Sequence, residues 1–178
     1  MHHATDLITI FNGLFAEKEN TQLARGDGEP IYLPATEGDS ACHQVVFAHG
    51  FFASALHEIA HWCIAGKQRR ELVDYGYWYE PDGRCVEKQH EFALVEARPQ
   101  AVEWVLHQAC GHRFNISLDN LSLDPQAFAP FKDAVLEQIT NLKLHGLPPR
   151  AAILQEALAD FYEQPANWCQ YPFDVSQL

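Results

Sequence analysis

The chain has no apolar run long enough to cross a bilayer, no C-x-x-C pair, no G-x-G-x-x-G and no P-loop sequence. The first absence argues against a membrane span, the second against a cysteine-based structural zinc site, and the last two against a built-in nucleotide site. The segment Met1 to Asp6 has no basic stretch followed by an apolar one, so no signal peptide is expected, and His2 and His3 read as a frayed terminus. The cysteines, Cys42, Cys63, Cys85, Cys110 and Cys169, are scattered and odd in number, which fits a reduced cytoplasmic protein. Basic residues are also scarce. Twelve Lys and Arg against 24 Asp and Glu give a formal net charge of −12, which disfavours nucleic acid as a partner.

What is present is enough to build one core. At 178 residues, 47% of them hydrophobic, the chain reads as a single globular domain spanning 1–178. Thr5 reads as the N-cap of a first helix carrying Leu7, Ile8, Phe11, Leu14 and Phe15. Turn residues break 20–42, with Arg25-Gly26-Asp27-Gly28 as a turn and Ile31-Tyr32-Leu33 as a short strand. His43–Ala48 reads as a buried strand, and Leu72–Tyr79 as a further strand closed by a turn at Pro81-Asp82-Gly83. Residues 86–110 have helical composition that Pro99 should kink or split, with Glu96, Gln100 and Glu103 on one stripe. Asp124 and Pro125 open a helix that Gly146 stops. Pro148-Pro149 open the last helix, with Ile153, Leu154, Ala157, Leu158 and Phe161 on one face. The expected class is α+β, mostly helical with a small sheet.

The chain turns on His57-Glu58-Ile59-Ala60-His61. It lies in an apolar run from Phe51 that has no internal Gly or Pro and stops at Gly66, so it reads as a helix. Positions four apart share a helix face, and the two imidazoles can hold one divalent metal ion, as in the H-E-x-x-H pattern. With ten histidines the pattern arises by chance in about one chain in twenty of this composition, so its helical setting carries the argument. Two histidines and a glutamate in a greasy helix are costly to bury without a purpose. A third ligand on another helix is needed. Glu96, flanked by apolar residues, fits best. Glu91 competes, but the two lie too far round a helix to share one metal. His49, at a strand-to-helix corner, is a candidate for contact with substrate. Lys67, Arg69, Arg70, Arg84, Lys88 and Arg98 are half of the basic residues and follow directly on the histidine helix.

Phe47-Ala48-His49-Gly50-Phe51, His57–Lys67, Arg69–Asp74, Gly76-Tyr77-Trp78-Tyr79, Pro81-Asp82-Gly83-Arg84, and Val95-Glu96 with Pro99-Gln100-Ala101 resemble the bacterial elongation factor P hydroxylase family. Glu29–Ala35 and Asp119-Asn120-Leu121 extend the likeness, which carries to about residue 125. The resemblance implies hydroxylation of a β-lysyl-modified lysine of elongation factor P. It implies iron(II) held by His57, His61 and Glu96 (zinc or another divalent metal can occupy such a site), with dioxygen as co-substrate. It also implies a metal helix like that of zinc peptidases. Glu58 then orients groups at the metal, and Lys67, Arg69, Arg70 and Arg84 form a positive patch for an acidic partner. On residues alone, a zinc metallopeptidase with Glu58 as general base is the rival. A non-catalytic metal-stabilised module is less apt, because structural zinc normally takes four protein ligands.

Overall fold

Helix α1 (Ala4–Phe15) buries Leu7, Phe11 and Phe15, a four-residue spacing that puts all three on one stripe. It starts two residues before the place that a Thr5 cap would set: its N-cap is His3, which makes no side-chain capping bond. The start is held from outside. His2 Nε2 bonds the carbonyl of Cys110 at 2.6 Å, and its ring packs on Phe52, His112 and Tyr162 at centroid distances of 5.2, 4.9 and 5.1 Å. The expected frayed terminus is therefore docked. The computed structural model describes residues 2–35, 40–76, 86–117 and 128–174, with 86–94 and 128 described by backbone alone.

Three short strands follow: β1 (Thr21–Gly26), β2 (Ile31–Leu33) and β3 (His43–Ala48). β3 is central, parallel to β1 and antiparallel to β2. β2 and β3 lie where their composition put them, whereas β1 replaces part of the expected turn at 25–28. Its polar sequence hides the alternation that places Thr21 and Leu23 in the core. Asn12 ties α1 to it, its Oδ1 accepting from the Leu23 amide at 2.7 Å and its Nδ2 donating to the Leu23 carbonyl at 3.4 Å. A side-chain amide thus covers part of an edge strand that would otherwise be open to further pairing.

After β3 the chain reverses through His49 and Gly50, both at positive φ (51° and 78°), into α2 (Phe52–Ile64). Ala55, Leu56, Ile59, Ala60 and Trp62 of α2 are buried, and Trp62 packs against Phe11 and Phe15 of α1. The far end of α2 is closed from a distance. Arg150 Nη2 donates to the carbonyls of Trp62, Cys63 and Ala65, and its guanidinium lies 4.6 Å from the Trp62 ring centroid. A partly buried cation at a helix C-terminus contributes up to ~2 kcal/mol.

The expected strand from Leu72 does not form over its described part. Two single 3₁₀ turns, Arg69–Glu71 and Val73–Gly76, occupy the segment, and 77–79 lie outside the described residues along with the turn at 81–83. Asp74 (φ 46°) and Tyr75 (φ 58°) are left-handed, a conformation that costs a non-glycine residue energy and needs outside support. The Asp74 carboxylate accepts from the Tyr32 amide at 2.8 Å, and the Tyr75 ring stacks on Tyr32 at 4.4 Å.

α3 (Val86–Ala109) runs unbroken through Pro99. α4 (Phe128–His145) ends at Gly146 as expected, while Asp124 and Pro125 lie outside the described residues. α5 (Pro149–Phe161) starts as read but turns a different face inward. Ala151, Leu154, Gln155, Leu158 and Ala159 are buried, whereas Ile153 and Phe161 are about half exposed at 49% and 53%. Gln155 belongs to the buried stripe because its amide nitrogen has a partner, the Tyr171 hydroxyl at 3.1 Å. The chain is mostly helical with a small three-stranded sheet, all packed on one hydrophobic core.

Candidate metal centre

α2 is apolar on the face that meets α1 and the sheet, and its histidines fall on the face that meets α3. His57 and His61 are one turn apart there, with their Nε2 atoms 3.2 Å from each other. Across from them, Glu96 of α3 places Oε2 3.4 Å from His61 Nε2 and 4.0 Å from His57 Nε2. Ligand atoms of the three residues all lie within 4.8 Å of one another, and this is the group of three or more possible ligands found among the described residues. Two imidazole nitrogens and a carboxylate oxygen converging in this way suit a divalent metal with positions left for other ligands. The side chain of Glu91, the competing third ligand, lies outside the described residues.

The electrostatics follow from this packing. Burial by itself would raise the Glu96 carboxyl and lower the His57 imidazole. The histidines outweigh burial at Glu96 and pull its pKa down, while the surrounding carboxylates, Glu103 foremost, carry His57 well above its ordinary value. Glu58 differs: burial pushes its pKa up, and His57 and His61 only partly oppose this. Its carboxyl therefore has more tendency to hold a proton than an ordinary glutamate.

A cavity of about 630 Å³ opens at the C-terminal end of α2 and reaches His61. Ile64, Ala65, Val95 and Pro99 give it an apolar lining, and Lys67, Arg69 and Arg98 are the cations along it. Pro99 has no amide proton, so the Val95 carbonyl in that wall lacks its usual helix donor. Tyr75 also lines the cavity. Arg69 is tethered, its Nη1 donating to the Tyr75 carbonyl at 3.1 Å.

The other residues singled out in the sequence are not all gathered here. Arg70 turns away to Glu19, with Nη1 2.8 Å from Oε2, so its charge is already paired. His49 is exposed at the opposite end of α2, beside Phe51, and is not among the residues lining the cavity. Arg84 lies outside the described residues. Two contributors were missed. Arg150 had no local signal, because its targets lie 85 to 88 positions away. His107 did have one, since it extends the stripe of Glu96, Gln100 and Glu103 by a further four residues, and all four side chains are buried.

The family model described as elongation factor P hydroxylase matches residues 10–171. A Haemophilus influenzae protein named elongation factor P lysine hydroxylase is 50% identical over 175 residues, which is 98% of each chain. Both matches extend well past residue 125, where the resemblance in the sequence had faded.

Proposed function

Since the chain belongs to the elongation factor P hydroxylase family, we propose that it hydroxylates a lysine of elongation factor P, one already carrying a β-lysyl group. We place the reaction at a metal held by His57, His61 and Glu96. The observation that carries this reading is the convergence of those three side chains beside a cavity, in a chain so close over its whole length to a lysine hydroxylase. Two histidines and one carboxylate with open positions suit iron(II), which supplies dioxygen activation when bound. Both matched descriptions name a hydroxylase, which favours that class over a metallopeptidase.

The chain's own groups would do the rest. The cavity admits an extended side chain along its apolar lining and brings it towards His61. Glu58, near the metal but outside the three ligands, orients the substrate amine or a water by hydrogen bonding. Lys67, Arg69 and Arg98 give a strongly acidic chain a local positive edge on which an acidic partner surface can dock. The test is mass spectrometry of β-lysylated elongation factor P after incubation with the iron-loaded protein. A single added oxygen on the modified lysine is expected. Release of peptide fragments without added oxygen would replace this reading with the peptidase one.

A further inference from the structure

Behind the three converging ligands, a second carboxylate is in place. Glu103 of α3 is buried, and its Oε2 lies 2.8 Å from His57 Nδ1. Its other oxygen, Oε1, lies 3.4 Å from Nε2 of His107, one turn further along α3. That Nε2 is fully buried and has no hydrogen-bond partner. His107 is itself held through Nδ1 by the Arg113 carbonyl at 2.9 Å. A neutral imidazole carries one proton, and the nitrogen that keeps it cannot bind a metal.

We infer that Glu103 is a positioning residue for the metal centre: it accepts the Nδ1 proton of His57 and so commits Nε2 to the metal. The inference rests on the metal reading given above. Glu103 is not a ligand, and it touches neither substrate nor metal. Its work is to fix the tautomer and rotamer of His57 and to make that imidazole a stronger donor, an arrangement whose loss typically costs 10–100-fold in metal affinity.

The experiment compares the full-length protein with Glu103→Ala and Glu103→Gln. Zn(II) and Co(II) affinities are measured by competition with a chelator, and the His57 ring protons by long-range ¹H–¹⁵N NMR of the zinc-loaded protein. The alanine variant should bind 10–100-fold more weakly. Its downfield Nδ1–H resonance should vanish and its Co(II) absorption spectrum should shift. Gln keeps an oxygen that can accept from Nδ1–H, so it should recover part of the affinity and the resonance. It also provides the reading should the alanine variant not fold. A folded variant with wild-type affinity and an unchanged His57 resonance would overturn the inference while leaving the metal centre intact. Absence of metal binding by the wild-type protein would overturn both.

Discussion

Two groups of histidines meet α3, and they differ in what their ring nitrogens face. At one, His57 and His61 direct Nε2 atoms at each other and at a carboxylate, next to a cavity. At the other, the nitrogens face backbone carbonyls and another imidazole, apart from His107 Nε2, which lies 3.4 Å from a Glu103 oxygen. His2 bonds Cys110 O, His107 bonds Arg113 O, and His112 Nδ1 lies 2.9 Å from His107 Nδ1. Phe52 and Tyr162 wrap His2, and burial lowers the pKa of His112, with His107 adding to the effect. The second cluster has three imidazoles against two in the first, but no carboxylate converging on all of them. Histidine count does not make a metal centre. Uncommitted nitrogens with an anionic partner do.

The contrast breaks most readily by mutation. His57→Ala, His61→Ala or Glu96→Ala should remove metal binding and with it hydroxylation, whereas His2→Ala and His112→Ala should leave metal affinity within a few-fold of wild type; metal analysis of dialysed, reloaded protein checks both arms. Equal loss in the two sets would erase the distinction. Next in size, Glu58→Gln should keep the metal and lower hydroxylation 10–100-fold, as changes around a metal's ligands typically do. Full metal occupancy with no added oxygen would make Glu58 indispensable to the chemistry.

A smaller effect depends on pH. Glu103 is held at about 2 in the folded chain against an ordinary 4.5, because His57 and His107 outweigh its burial. A depressed folded pKa stabilises above the ordinary value and is lost as pH falls through the folded one. The melting-temperature gap between metal-free wild type and Glu103→Gln should therefore be widest above about pH 4.5 and close towards pH 2. Each kcal/mol should show as about 2–4 °C for a chain of this size. A gap independent of pH would mean that the charge of Glu103 contributes nothing. Smallest is the effect of the cavity's edge. Lys67→Glu with Arg98→Glu should slow association with elongation factor P at low salt and less so at high salt, while Arg113→Glu, beside the closed cluster, should not. Stopped-flow rates across a salt series decide it.

The reach of the sequence can be traced through the same residues. The His57/His61 pair was legible because a helix fixes which positions share a face, and Glu96 because apolar neighbours set it apart from surface carboxylates. The contact between His57 and Glu103 was not, since it depends on how two helices cross. β1 escaped notice because Thr21 is polar at a buried position and the exposed Arg25 breaks the alternation. The segment after Leu72 looked like a strand because its aromatics suit one, but left-handed turns at Asp74 and Tyr75 depend on a carboxylate–amide bond to Tyr32, a residue forty-two positions earlier. The inward face of α5 was misjudged because a buried glutamine looks like a surface residue until its partner is known.

Arg150 has a consequence for how the protein is made. A ribosome delivers α2 long before α5, so the nascent chain carries the histidine helix while the carbonyls of Trp62, Cys63 and Ala65 still await their guanidinium donor. The wall of the cavity is thus sealed late in synthesis. A chain released before residue 150 would possess all three candidate metal ligands and still lack the clasp that finishes the helix bearing two of them.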